Sequence, residues 1–167
     1  MGELAVSGAA KDVLTTIGLG SCVGLVLLDS SRSTAGLAHV VYPHSTPDTR
    51  SGGQPAKYAD TVVPALVGAM GRLGSLRGAL EAVLVGGARM FAFVRAPELD
   101  IGSANVDAVA RALAQAEIPI RISLTGGSIG RSVRVRAAGG LIAIREAGTA
   151  NRVYSTAGGL LEEVASG

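Results

Sequence analysis

The sequence predicts a single α/β domain with mixed β-sheets, in which helices cover one face of the strands and further strands cover the other face. A length of 167 residues is typical of one domain. Apolar residues make up 48% of the sequence and aromatic residues only 3%, so the core must be built from Val, Leu, Ile and Ala. The predicted strands follow one another as hairpins, and two helical patterns interrupt them without a regular β-α-β-α alternation.

Strands are predicted where short runs rich in Val, Ile and Leu are bounded by glycine or polar turn residues. They occupy residues 4–6, 13–17, 23–29, 35–42, 82–85, 120–124, 133–136 and 141–145. Polar residues at 30–33 and the pair Gly139 and Gly140 are predicted to close two hairpins. Residues 43–54 are predicted to form a loop.

Two amphipathic helices are predicted, over residues 60–73 and 103–116, because apolar residues recur there at three- and four-residue spacing. Asp60 and Ser103 are the expected N-caps. The core of the domain is expected to span about residues 3–146. The C-terminal tail, residues 147–167, carries a weak pattern and is predicted to be a marginal helix or a frayed end.

Charge and cysteine content limit the classes of function. Fifteen basic and thirteen acidic residues give a net charge of +2, which is too small to predict nucleic-acid binding. A single cysteine excludes an internal disulfide and favours a reducing compartment. Residues 1–10 lack the features of a secretory signal, and no apolar run approaches the roughly 20 residues of a membrane helix. The protein is therefore expected to be cytoplasmic, without membrane insertion.

Cys22 and His39 are the predicted catalytic pair. If residues 23–29 and 35–42 pair antiparallel around the intervening turn, Cys22 and His39 lie opposite each other or one diagonal step apart, with Cβ atoms roughly 5–8 Å apart. A thiol beside an imidazole is the arrangement that produces a thiolate near neutral pH. A slip of one residue in the register would instead place His39 on the opposite face.

The residues around Cys22 suit amide hydrolysis. Glycines in the turn let the main chain approach a substrate and present N–H donors to a developing oxyanion, a role predicted for Gly20 and Ser21. Thr16, at the end of the preceding strand, is positioned to orient the second nitrogen of His39. Against this, a lone cysteine is more often a small buried apolar residue, and a lone histidine on a strand is usually structural. His44 is interpreted as a surface residue.

Several motifs, in order and spacing, resemble the chemoreceptor glutamine deamidase family, CheD. The match covers about residues 3–146. The motifs are Thr16-Ile17-Gly18-Leu19-Gly20-Ser21-Cys22-Val23, Ala38-His39-Val40, Lys57-Tyr58-Ala59-Asp60, Gly86-Gly87-Ala88-Arg89-Met90-Phe91, Ile101-Gly102 with Asn105-Val106, and Thr125-Gly126-Gly127 with Gly130-Arg131-Ser132-Val133.

The resemblance implies a three-layer α/β sandwich related to the cysteine-dependent deamidase toxins. It implies hydrolysis of glutamine side chains to glutamate, with release of ammonia, on methyl-accepting chemotaxis receptors. Cys22, His39 and Thr16 fall on the family's nucleophile, base and orienting positions, and the reaction would pass through a Cys22 thioester. No metal or cofactor is expected. A CheC-type phosphatase is implied as a regulatory partner, since some members bind one.

The same residues allow other interpretations. A dinucleotide-binding loop is disfavoured because Val23 stands where the third glycine belongs and no helix pattern follows. A catalytically inactive scaffold that binds a CheC-type phosphatase or a receptor remains an alternative, as does hydrolysis of methyl esters. Arg131, Arg134 and Arg136 are interpreted as a solvated strand face, with docking of an acidic partner as the alternative.

Overall fold

The computed structural model describes residues 1–50, 53–89, 100–156 and 159–164. Met90 and Phe91, the end of one family-like motif, lie outside the described residues. The strands are β1 (Leu4–Ser7), β2 (Val13–Leu19), β3 (Val23–Asp29), β4 (Thr34–Val40), β5 (Glu81–Gly86), β6 (Ile120–Thr125), β7 (Arg131–Arg136), β8 (Leu141–Glu146), β9 (Asn151–Ser155) and β10 (Gly159–Val164). The helices are α1 (Pro47–Arg50), α2 (Ala59–Arg72) and α3 (Ile101–Gln115), with single 3-10 turns at Pro55–Lys57, Arg77–Ala79 and Ala138–Gly140.

These strands form two five-stranded sheets. The first sheet has the order β1-β4-β3-β5-β6 and is antiparallel except for the parallel pair β5 and β6. The second sheet has the order β10-β9-β8-β7-β2 and is antiparallel throughout. The predicted α/β class is therefore confirmed, although only the first sheet is mixed.

The first sheet is covered on both faces, as predicted. Alternate residues of β3, such as Leu25 and Leu27, pack with α2 and α3 in one apolar cluster. The intervening residues, such as Val26 and Leu28, pack with β7 and β8 of the second sheet in another. Every residue of β3 and β4 is consequently buried, which explains why these strands read as continuous apolar runs rather than alternating ones.

Both predicted helices are present, but the predicted caps are wrong. The N-cap of α2 is Tyr58, without a side-chain capping bond. Asp60 instead lies inside the first turn and accepts hydrogen bonds from the backbone and hydroxyl of Ser45, at 3.0 and 2.7 Å. Helix α3 is capped by Asp100, whose carboxylate accepts from the amide of Ser103 at 3.1 Å. A carboxylate three residues upstream thus takes the capping role expected of Ser103.

The prediction of a marginal helix or a frayed end is wrong for the described residues of the tail, 147–156 and 159–164. These residues form β9, which pairs with β8, and β10, which pairs with β9. Tyr154 is buried in the core between the two sheets. Pairing with the free edge of β8 and burial of one aromatic ring stabilise strands that the local pattern does not indicate.

None of the helices in the described ranges is long and apolar enough to cross a membrane.

Candidate active site

The register of the β3–β4 hairpin brings Cys22 and His39 to one face. Gly24 lies opposite His39, and Cys22 precedes Gly24 by two residues, so Cys22 is one diagonal step from His39. Val26 and Leu37, which share this face, pack in the core between the sheets, and Cys22 packs against the same core. Cys22 lies one residue before the paired part of β3, and the register of the ladder corresponds to the diagonal one of the two predicted arrangements.

Thr16 approaches His39 from the other sheet. Thr16 lies on β2, at the edge of the second sheet, and its Oγ1 is 2.9 Å from Nδ1 of His39. Gly24, opposite His39, lies beneath Leu19, because a Cβ there would lie 2.8 Å from Leu19 Cδ1, and such a Cβ would make an ordinary contact of 3.6 Å with Thr16 Cγ2. The contact predicted between Thr16 and His39 thus links the two sheets.

The other ring nitrogen of His39, Nε2, is buried and has no hydrogen-bond partner among the residues that the structure describes. When the Thr16 hydroxyl accepts from Nδ1–H, Nε2 carries a lone pair that can take a proton. The thiol of Cys22 is not hydrogen-bonded to this nitrogen here, so a modest side-chain rearrangement would have to precede proton transfer.

Burial sets the protonation of the pair. It raises the pKa of the Cys22 thiol, and the positive charge of the terminal amine of Met1 acts more weakly in the opposite sense. It lowers the pKa of His39, with the same amine adding to the shift and Glu3 opposing it. Both directions favour neutral side chains, so the expectation of a preformed thiolate near neutral pH is not met before substrate binds. The arrangement suits general-base catalysis, in which the thiol loses its proton as it attacks.

The turn that carries Cys22 is held by the end of β5. The amide of Gly87 donates to the Cys22 carbonyl at 2.8 Å, and the amide of Ala88 donates to the Gly20 carbonyl at 2.7 Å. Gly86 has φ of 104°, and a Cβ there would lie 2.4 Å from the Cys22 carbonyl oxygen. Gly86, the last residue of β5, and Gly87 after it therefore contact the backbone of the nucleophile.

Within the turn, the amide of Gly20 donates to the carbonyl of Gly18 at 3.0 Å. Gly18 has φ of 71°, a conformation that favours glycine. Gly20 therefore shapes the turn through its own N–H, and the predicted role of Gly20 and Ser21 as a substrate loop stays a prediction.

Asn105 is the site residue that sequence reasoning missed. It lies on α3 and is fully buried, and its Nδ2 donates to the carbonyls of Ser21 and Val41, each at 3.0 Å. The available signal was a polar residue in phase with Val109 and Leu113 on the apolar face of the helix, where an unpaired carboxamide would be costly.

A cleft of about 660 Å³ opens beside Thr16 and His39. Residues of β1, β2 and β4 line it together with Met1 and Glu3. Ile17, on the β2 side, is 71% exposed. The cleft gives solvent and ligands a route to the Thr16 side of the imidazole.

Other residues singled out from the sequence lie elsewhere. His44 is exposed and lines a separate pocket with Asp60 and Arg111. Arg131 is buried rather than solvated, in an ion pair with Glu146 at 2.8 Å and a hydrogen bond to the Gly126 carbonyl at 2.7 Å.

The other two arginines of this strand, Arg134 and Arg136, are exposed on the outer face of the second sheet. The interpretation as a solvated face is therefore right for these two and wrong for the buried Arg131, because side chains alternate along β7.

Comparison with known proteins identifies the family. A family model described as CheD chemotactic sensory transduction matches residues 41–146. A probable chemoreceptor glutamine deamidase CheD from Geobacillus kaustophilus (strain HTA426) is 41% identical over 140 residues, which cover 83% of this chain and 85% of the relative. One from Desulfitobacterium hafniense (strain DSM 10664 / DCB-2) is 39% identical over 137 residues, covering 81% and 84%. The chemoreceptor glutamine deamidase CheD of Bacillus subtilis (strain 168) is 45% identical over 123 residues, covering 73% and 74%. The chain therefore belongs to the CheD family.

Proposed function

We propose that this protein is a protein-glutamine deamidase that converts specific glutamine side chains of methyl-accepting chemotaxis receptors to glutamate and releases ammonia. Family membership supports the reaction and the substrate class. The observation that carries the proposal is the hydrogen bond between Thr16 Oγ1 and His39 Nδ1. It leaves Nε2 of an oriented imidazole free on the face that Cys22 shares.

The chemistry follows from neutral reactants. Nε2 of His39 takes the Sγ proton of Cys22 as the sulfur attacks the carboxamide carbon of the substrate. The imidazolium then donates its proton to the departing nitrogen, ammonia leaves, and a thioester to Cys22 remains. Water that loses a proton to the same Nε2 hydrolyses the thioester, which yields glutamate and restores the thiol. The Gly20 N–H is donated to the Gly18 carbonyl and shapes the loop. The oxyanion of each tetrahedral intermediate is stabilised by backbone N–H groups that follow Gly20 in this loop, beginning with that of Ser21.

The wider setting is proposed on the same basis. Residues 1–167 act as a single cytoplasmic domain, and the reaction needs no metal or cofactor. The fold is related to the cysteine-dependent deamidase toxins. A CheC-type phosphatase is a regulatory partner, and the cytoplasmic helices of the receptors are the substrate.

One observation favours a second candidate, an inactive scaffold that binds a receptor or a CheC-type phosphatase. Burial raises the pKa of Cys22 and lowers that of His39, and the thiol is not bonded to Nε2. A pair that stays neutral and apart after substrate binds would not turn over.

The test is incubation with the cytoplasmic domains of the organism's receptors, with amide-to-acid conversion read by mass spectrometry. We expect conversion by the wild type and by His44→Ala, which alters the exposed histidine, and none by Cys22→Ala or His39→Ala. Conversion by Cys22→Ala at the wild-type rate would overturn the mechanism. Receptor binding without conversion by the wild type would favour the scaffold.

A further inference from the structure

The side-chain carboxamide of Asn105 hydrogen-bonds to Ser21 and Val41, which lie just beyond the paired residues of the β3–β4 hairpin. Regular pairing of β3 with β4 ends at Val23 opposite Val40. One step beyond, the amide of Val41 donates to the carbonyl of Lys57 at 2.9 Å rather than across the hairpin. The two N–H groups of Asn105 Nδ2 bind the carbonyls of Ser21 and Val41, on either side of this opening.

If Asn105 served only to stabilise the fold, its buried position would be unfavourable. The residue is fully buried in the helix layer, and within the described ranges its Oδ1 has no hydrogen-bond partner. A buried acceptor without a donor destabilises a fold, and helix neighbours such as Val109 fill the same layer with apolar side chains. The presence of a carboxamide here is therefore explained by the two carbonyls that its N–H groups bind, those of Ser21 and Val41.

One of those bonds fixes the peptide that enters the nucleophile. The described residues contain no cis peptide bond, and in a planar trans peptide the N–H points opposite to the preceding C=O. Because the Ser21 carbonyl points toward Asn105 on α3, the Cys22 amide points away from α3, toward the side on which the sulfur lies. Among the hydrogen bonds of the described ranges, none is donated by the Cys22 amide.

We propose that Asn105 is a positioning residue of the reaction. By holding the Ser21 carbonyl it directs the Cys22 N–H toward the substrate oxygen as an oxyanion donor, and by holding the Val41 carbonyl it ties that peptide to the end of β4, the strand of His39. This inference rests on the deamidase function proposed above. The donors of an oxyanion site act in the transition state, so their loss lowers kcat rather than raising KM.

The test compares Asn105→Leu and Asn105→Ala with Val109→Ala, a core truncation one helical turn away that leaves both carbonyls paired. We expect kcat for receptor deamidation to fall by about 10- to 100-fold in both Asn105 variants, with KM changed by less than about threefold. The alkylation rate of Cys22 by iodoacetamide and the pH profile of kcat/KM should stay near those of the wild type, because the thiol and imidazole are retained. Thermal unfolding is measured for all three, and Val109→Ala should lower the midpoint but keep the wild-type kcat.

Wild-type kcat in folded Asn105→Leu and Asn105→Ala would overturn the inference, as would an equal loss of kcat in Val109→Ala. A fall in alkylation parallel to the fall in kcat would also overturn it, since the carboxamide would then act on the thiol and imidazole rather than on the peptide. If Asn105→Leu does not fold, the test rests on kcat of Asn105→Ala, measured at a temperature below the unfolding midpoint of that variant. Absence of conversion by the wild type, by contrast, would remove the proposed function, and retained turnover in Cys22→Ala would remove its mechanism, so these failures are distinguishable from failure of the Asn105 inference.

Discussion

Thr16, on β2 of the second sheet, contacts the imidazole of His39 on the first sheet. Its hydroxyl is half-buried and lies 2.9 Å from Nδ1. The hydrogen bond fixes the ring orientation and leaves Nε2 to exchange protons with the thiol and the leaving group. Its effect on the reaction should therefore depend on the hydroxyl and little on the methyl group of the side chain.

We expect Thr16→Val to lower kcat/KM by about tenfold, since a hydrogen bond contributes roughly 0.5–1.5 kcal/mol and each 1.4 kcal/mol is a factor of ten in rate. Thr16→Ser, which keeps the hydroxyl, is the matched control and should stay within about threefold of the wild type. The measurement is the initial rate on receptor domains at several substrate concentrations. Equal rates for Thr16→Val and the wild type would contradict the orienting role.

The positions of Cys22, His39 and Thr16 could be predicted because all three depend on one hairpin and the strand before it. Asn105 could not, because it lies 84 residues from Ser21 and meets it only when α3 packs on the first sheet. The directions of the pKa shifts were also beyond the sequence. Proximity of a thiol and an imidazole suggested ionisation, whereas burial between two layers favours the neutral forms.

Among the elements, the connection after β5 is the one that supports the nucleophile most directly. Gly86 has positive φ, and the space where a Cβ would stand is filled by the carbonyl of Cys22. A side chain at this position would both strain the backbone and push the turn of Cys22 away from β5.

Gly86→Ala should therefore lower the free energy of unfolding by about 1–3 kcal/mol and reduce deamidation beyond the loss of folded protein. Gly68→Ala is the control, because Gly68 lies within α2 with open space around it. That substitution should stabilise the protein by roughly 0.5–1 kcal/mol. Urea unfolding gives the two stabilities, and wild-type stability of Gly86→Ala would contradict the close approach described here.

Most elements up to β8 could be predicted from local pattern, since each apolar run or amphipathic stretch carries its own signal. The caps differ from those expected because Asp100 lies three residues before Ser103 and Tyr58 lies two residues before Asp60. Strands β9 and β10 were missed for a different reason. Their stability depends on pairing with β8 and on burial of Tyr154 between the sheets, neither of which shows in the tail itself.

At the scale of the whole molecule, burial of His39 links folding to pH. The folded protein holds the pKa of His39 below its usual value, chiefly by burial. Below about pH 6.5 the unfolded chain binds a proton that the folded protein excludes. The contribution of His39 to stability is thus fully present above that pH and is lost as pH falls toward the folded-state pKa.

We expect the free energy of unfolding, measured by urea titration, to decrease as pH falls below about 6.5. His39→Gln should flatten this dependence, whereas His44→Gln, at the exposed histidine, should retain it. A wild-type slope in His39→Gln would show that another group is responsible.

The hydrogen bond between Thr16 and His39 makes the reaction depend on how the two sheets are aligned. Its two ends belong to separate sheets, which otherwise meet through an apolar core in the part of the chain that the structure describes. A sliding of one layer past the other by little more than an ångström would break the bond while every strand stayed intact. A partner or substitution that shifts the layers should therefore slow turnover, to about the extent expected for Thr16→Val, without contacting Cys22.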